Sequence, residues 1–192
     1  IGEGKTTQLQ KIVETLKNQD ISAGGIISPR IIENGTTKGY DIVDIMTNER
    51  AAFLRKTGDE KLPKIGNYNI LSEGLEKGNN ALKNSQNNNQ VVVIDEVGRL
   101  ELNNKGWAEN IEYLLNDSDS NLILSVRDRF TGQVINKWSL KDYTKLDVSE
   151  NNHIKNSEII AKQIHKQSNK NLKRTGKSFN FSKNQLQRKI LF

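Results

Sequence analysis

Cysteine is absent from this chain, which excludes disulfides and thiolate metal sites. Proline occurs only twice and aromatic residues make up 6% of the 192 positions. No apolar run approaches the ~20 residues that a membrane-spanning helix needs, so no membrane role is expected. No signal peptide is visible, and a cytoplasmic location is the default expectation. The apolar fraction is 34% and the mean hydropathy is −0.70, low enough that part of the chain is expected to pack poorly. The length suits one domain with a real core, carrying a tail. The net charge of +6 is unevenly placed. Residues 1–150 hold 19 Lys and Arg against 22 Asp and Glu, a net of −3, whereas residues 151–192 hold 10 basic residues and one acid, Glu158, a net of +9. A basic whole-chain charge suggests nucleic-acid binding, and this split confines that chemistry to the tail.

Half of a motif is also missing. The chain opens IGEGKTTQLQ, which resembles the second half of a phosphate-binding loop. The full pattern is Gly, four residues, then Gly-Lys-Ser/Thr, and its first glycine would fall ahead of Ile1. The sequence therefore reads as a fragment that begins inside its own loop and lacks the strand leading into it. Weak nucleotide binding is expected of such a fragment, with roughly ten upstream residues needed to restore it.

Leu9, Ile12, Val13 and Leu16 recur at i, i+3, i+4 and i+7, which predicts an amphipathic helix leaving the loop. ISAGGIIS reads as a short buried strand, and Asn34-Gly35 between two β-rich runs predicts a hairpin. No element is assigned between that hairpin and Pro63. KIGNYNIL reads as one strand, 73–86 as a weak helix and NSQNNNQ as a loop. VVVIDE (91–96) is the strongest strand, buried on both faces as in a parallel sheet. A helix carrying Trp107, Ile111, Leu114 and Leu115 follows, then strand NLILSV, then a helix carrying Phe130, Val134, Ile135 and Trp138, and TKLDV as a last strand. Alternating strands and helices predict an α/β domain over 1–150, a mainly parallel sheet flanked by helices with an inserted β-hairpin. Residues 151–192 are expected to add one helix, through Ile154, Ile159, Ile160 and Ile164, and disorder beyond Gln167.

The chemistry gathers at two places. Gly2, Glu3, Gly4, Lys5, Thr6 and Thr7 are the loop remnant: glycine lets backbone N–H groups approach phosphate, and the helix N-terminus favours an anion there. Lys5 is positioned to reach the β and γ phosphates, and the Thr6 hydroxyl to ligate Mg²⁺. The second place is the end of VVVIDE, where α/β sheets bind ligands. Asp95 is the candidate metal ligand and Glu96 the candidate general base for water. In a regular strand these neighbours point to opposite faces and need different partners, which a metal and a water would provide. Each half alone also reads as an ordinary glycine turn or a solvated strand end; together they agree on one mechanism.

VVVIDEVGRLELNNKGW, with GKTTQL and GGIISPRIIENGTTKGYDIVDI upstream, resembles the small nucleoside-triphosphatase family known from thermophiles over roughly residues 1–148. That resemblance implies a RecA-like P-loop fold and slow hydrolysis of several nucleoside triphosphates. It implies nucleotide contacts at Gly2–Thr7, magnesium support from Thr6 and Asp95, and a catalytic role for Glu96.

Arg99, Arg127 and Arg129 are candidate phosphate contacts, each of which also reads as a solvated surface arginine. Arg30 and Lys38 flank the hairpin turn and are expected to be exposed. Asp41 and Asp44 read as polar positions of a half-buried strand, Trp107 and Trp138 as core, and His153 and His165 as unsuited to metal. The basic tail, with Phe179 and Phe181 for stacking, suggests weak salt-sensitive nucleic-acid contact, against which stands a plain solvated tail. GEGKTTQLQKIVETLKNQDI and Arg127-Asp128-Arg129-Phe130 also resemble thymidylate kinases. A water-activating Glu96 is counterproductive in a kinase, but a kinase and a nucleotide-binding switch or adaptor remain as alternatives. Base preference and oligomeric state are not encoded in a phosphate loop.

Overall fold

The computed structural model describes residues 4–58, 61–146, 152–174 and 189–191. Helix α1 (Lys5–Lys17) leads into β1 (Ala23–Ile27). The hairpin follows as β2 (Arg30–Glu33) and β3 (Thr36–Asp44), turning at Asn34-Gly35 with φ of 50° and 70°, the left-handed pair that such a two-residue turn requires. The stretch left without an element contains β4 (Arg50–Arg55), whose Ala51 and Phe53 face inward in a run too short for periodicity to announce. KIGNYNIL is not one strand but two, β5 (Lys64–Ile65) and β6 (Tyr68–Ile70), with Ile65 paired to Tyr68 across a turn at Gly66. Then come α2 (Ser72–Ser85), β7 (Val91–Val97), α3 (Arg99–Leu102), α4 (Ala108–Asn116), β8 (Asn121–Val126), α5 (Asp128–Lys137) and β9 (Tyr143–Lys145). Helix α6 (His153–Arg174) and β10 (Lys189–Leu191) complete the chain.

The strands form one mixed sheet in the order β5-β6-β4-β3-β1-β7-β8-β10-β9, with β2 paired to β3. From β1 to β9 the strands run parallel, and β2 to β6 form an antiparallel extension larger than the single inserted hairpin expected. The two-residue side-chain period of a strand sorts the core into two layers. Val91, Val93 and Ile123 join α1 and α6 on one face. Val92, Ile94, Leu122 and Leu124 join Leu82, Trp107, Ile111 and Leu114 from α2 and α4 on the other. No helix among the described residues is long and apolar enough to cross a membrane.

Position 150 does not separate two cores. Ile160, Ala161 and Ile164 of α6 are buried in the same cluster as Leu9, Ile12 and Leu16 of α1. Leu191 of β10 is 1% exposed, and β10 lies between β8 and β9, parallel to both. Disorder was expected beyond Gln167; α6 runs on to Arg174, and much of the rest, Phe179 and Phe181 included, lies outside the described residues.

The Gly-Gly pair in β1 is explained by crowding. Gly25 has φ of 100°, and a Cβ there would stand 2.1 Å from the Val93 carbonyl of β7. The two glycines that weaken the α2 pattern serve the same end: Gly74 lies against the β4 backbone and Gly78 against the Trp107 ring, so the helix gives up propensity for closeness.

Gly25→Ala is expected to cost about 3 kcal/mol or more, from backbone strain added to a clash with a central strand, read as a fall in the urea midpoint. Ile160→Ala is expected to cost about 2–4 kcal/mol as a buried truncation, whereas a solvated tail would lose at most about 0.5 kcal/mol.

Candidate active site

Helix α1 starts at Gly4, which holds φ of 67°. Among the described residues no side chain caps the helix and no acid lies in its first turn, which leaves its amide donors and positive dipole end available to an anion. Lys5 Nζ donates to the Val126 carbonyl at 2.8 Å, tying the first residue of α1 to the end of β8. Thr6 Oγ1 donates to Asp95 Oδ2 at 2.6 Å. Gly2 and Glu3 lie outside the described residues.

Asp95 is 1% exposed. Its Oδ2 also accepts from the Ser28 N–H at 3.1 Å; Oδ1 is buried without a well-formed hydrogen bond among the described residues, and the nearby Ser125 hydroxyl favours the charged carboxylate. Burial pushes this carboxyl above the usual range, and the Thr6 hydroxyl opposes that rise. A half-buried hydroxyl in contact with a buried carboxylate has the hard-oxygen chemistry of a divalent-cation site.

The strand is not regular where the acids lie. Pairing between β7 and β8 slips between Ile94 and Val97, and Glu96 adopts φ of 61°. This bulge allows both acids to serve one sheet edge, which a period-two strand would not. Asp95 turns to Thr6 and Ser28, and Glu96 lines the open cleft, where its Oε2 accepts from Arg127 Nε at 2.9 Å. Strained backbone of this kind gathers at functional sites and persists only where its surroundings hold it. Part of that hold is Glu101, 2% exposed, whose carboxylate accepts the N–H groups of Gly98 (2.8 Å) and Trp107 (3.4 Å) and so fixes the turn after Glu96.

The cleft has a volume of about 590 Å³, within the range of small-ligand sites. It gathers Gly4, Lys5, Thr6, Thr7 and Glu96, with Arg127 and Arg129 from the start of α5. Arg99 is not in its lining: it opens α3, is exposed, and its carbonyl accepts from the Asn103 amide. Arg30 is exposed as expected but also lines the cleft, directly across the hairpin from Tyr40, which lines it too. Ser28 and Tyr40 are the site residues that sequence reasoning missed. Ser28 directly follows β1, the strand next to β7, a position that could have flagged it; Tyr40 had no local signal. Asp41 is more buried than its pattern implied. It pairs with Arg50 Nε at 3.0 Å and Arg55 Nη2 at 2.5 Å, joining β3 to β4.

A sequence profile of the family described as NTPase matches residues 1–184. Nucleoside-triphosphatase THEP1 of Thermofilum pendens is 31% identical over 149 residues, covering 74% of this chain and 81% of that protein. Nucleoside-triphosphatase THEP1 of Methanocaldococcus jannaschii is 31% identical over 144 residues, covering 74% of this chain and 83% of that protein. Among solved structures, that of THEP1 from Aquifex aeolicus aligns with a TM-score of 0.66 at 22% identity, over 83% of this chain and 92% of that one. The solution structure of a human cancer-related nucleoside triphosphatase aligns with a TM-score of 0.59 at 22% identity, over 84% and 90%. These structures share the fold, a mixed sheet with parallel strands flanked by helices. With a profile that spans most of its length and relatives at 31% identity over three-quarters of it, the chain belongs to the NTPase family of nucleoside triphosphatases.

Proposed function

We propose that this site hydrolyses nucleoside triphosphates, ATP and GTP among them, to the diphosphate and inorganic phosphate with Mg²⁺. The observation that carries the reading is the 2.6 Å contact between Thr6 of the loop helix and Asp95 of β7, with Glu96 next in the chain and open to the cleft. The triphosphate lies over the N-terminus of α1, whose amides and Lys5 bind the β and γ phosphates. Thr6 and Asp95 hold the Mg²⁺, which when bound neutralises charge on the β and γ phosphates. Glu96 orients a water against the γ-phosphorus and takes its proton as the new P–O bond forms. The bond to the bridging oxygen breaks and the diphosphate departs; the proton then passes from Glu96 to solvent or product. Binding through phosphates leaves the base unread, which supports a broad range of triphosphates. Both curated relatives at 31% identity are named nucleoside-triphosphatases, and that favours hydrolysis over the phosphoryl transfer of the kinase-like reading.

Phosphate release would be followed from ATP, GTP, CTP and UTP, with and without dTMP as a trial acceptor. Release without an acceptor is expected, and ADP appearing only with dTMP would overturn the reading. Glu96→Gln is expected to lower kcat by about 10²–10⁴-fold with nucleotide binding retained. EDTA, or Asp95→Asn, is expected to abolish turnover, with excess Mg²⁺ restoring only the EDTA-treated protein.

A further inference from the structure

Glu96 is tied to a cation that lies in the triphosphate's own cleft. Arg127 Nε donates to Glu96 Oε2 at 2.9 Å, and both side chains line the cleft with Lys5, Thr6 and Thr7. A carboxylate held by a guanidinium is a poor acceptor for a water proton, because the charge it would offer is already shared. The pair is also weak: the Arg127 side chain is 49% exposed and that of Glu96 28%, and pairs this open contribute little to stability. Its value lies in geometry. Arg127 follows Val126, the residue whose carbonyl holds Lys5, so both cations tied down at the end of β8 flank the place of the terminal phosphate.

A third side chain completes the arrangement. Tyr40 of β3 lines the same cleft as Arg127 and Glu96. It sits where the β3–β4 register shifts, between Tyr40 and Asp41, the kind of bulge that re-aims a side chain. Asp41 is anchored there by Arg50 and Arg55, so the bulge is pinned on its outer side. Tyr68 packs edge-on against the Tyr40 ring, centroids 5.6 Å apart, and limits where the phenol can swing. Arg129 is engaged differently, its guanidinium lying 4.7 Å from the Phe130 ring centroid.

We propose that Arg127 is a shuttle between Glu96 and the terminal phosphate, with Tyr40 as the residue that positions it. Without a triphosphate, Arg127 holds Glu96 on its bulge. When a γ-phosphate enters, its higher charge and matching fork geometry draw the guanidinium over, and the Glu96 carboxylate is released to the attacking water. A diphosphate lacks the group that moves Arg127, so product leaves the pair closed. The inserted antiparallel strands thus act on catalysis through Tyr40. This rests on the reading of Glu96 as the base.

The test is the NMR signal of the Arg127 Nε–H in the full chain, identified by its loss in Arg127→Lys. It is recorded with Mg²⁺ and ADP, and with Mg²⁺ and a non-hydrolysable ATP analogue, the α1 amide signals reporting binding. The Nε–H signal is expected to stay at its free position with ADP and to move with the analogue. An equal response to both ligands, no response while both bind, or no binding of either would overturn the shuttle. Arg127→Ala is expected to lower kcat by about 10²-fold or more and triphosphate affinity by about 10-fold, leaving ADP affinity near wild type. Tyr40→Phe is expected to lower kcat by about 3–10-fold on the wild-type background and not at all on Arg127→Ala; an equal loss on both would remove Tyr40 from the proposal. Wild-type turnover in Glu96→Gln would sink the base assignment alone, since the Nε–H response is read without turnover.

Discussion

The hydrogen bond from Thr6 to Asp95 is the contact on which the site depends. It joins the first turn of α1 to the end of β7, two segments almost ninety residues apart in sequence. The loop helix without β7 offers an anion only amides and a lysine; β7 without the helix offers buried acid with nothing to bind. Together they place hard oxygen ligands beside helix-start amides and a lysine, the combination that the proposed magnesium–triphosphate complex requires. The Ser28 amide on Asp95 adds β1 to the same junction, so three elements converge on one carboxylate.

Holding a fully buried carboxylate is costly unless it is hydrogen-bonded or metal-bound. The protein answers with the Thr6 and Ser28 donors on one oxygen of Asp95, while the other has no well-formed hydrogen bond among the described residues. One residue on, the backbone itself is strained: Glu96 lies in the left-handed region, which costs a non-glycine residue about 1–3 kcal/mol. Buried Glu101 anchors the following turn through two backbone amides, so the rigid part of the bulge lies just past the Glu96 carboxylate. This order suits the proposed chemistry: the main chain is held from behind while the Glu96 side chain pairs with the half-exposed Arg127.

The sheet carries these parts by division of labour. The parallel strands β1, β7 and β8 bring their C-terminal ends to one edge, where Ser28, Asp95, Glu96 and Arg127 collect. The antiparallel extension adds Arg30 and Tyr40 from the side. Helix α6 packs on α1 in one core cluster, so the basic segment contributes to the support of that helix.

Much of this was legible in the residues. Apolar period and glycine placement are local properties, so α1, the Asn34-Gly35 hairpin, β7, α4, β8 and α5 could be read directly, as could the pairing of a Gly-Lys-Thr turn with an acidic strand end. Short strands such as β4 to β6 could not, because two to six residues hold too little periodicity. Neither could the bulge at Glu96, the burial of Asp41, the place of β10 inside the sheet or the gathering of Tyr40 and Arg127 in one cleft. Register, the order of distant strands and the direction of a side chain are set by packing between segments far apart in the chain. The sequence by itself determined the chemical groups and the elements that bear them; the tertiary structure decided which groups meet, since only folding brings Thr6 to Asp95 and Arg127 to Glu96.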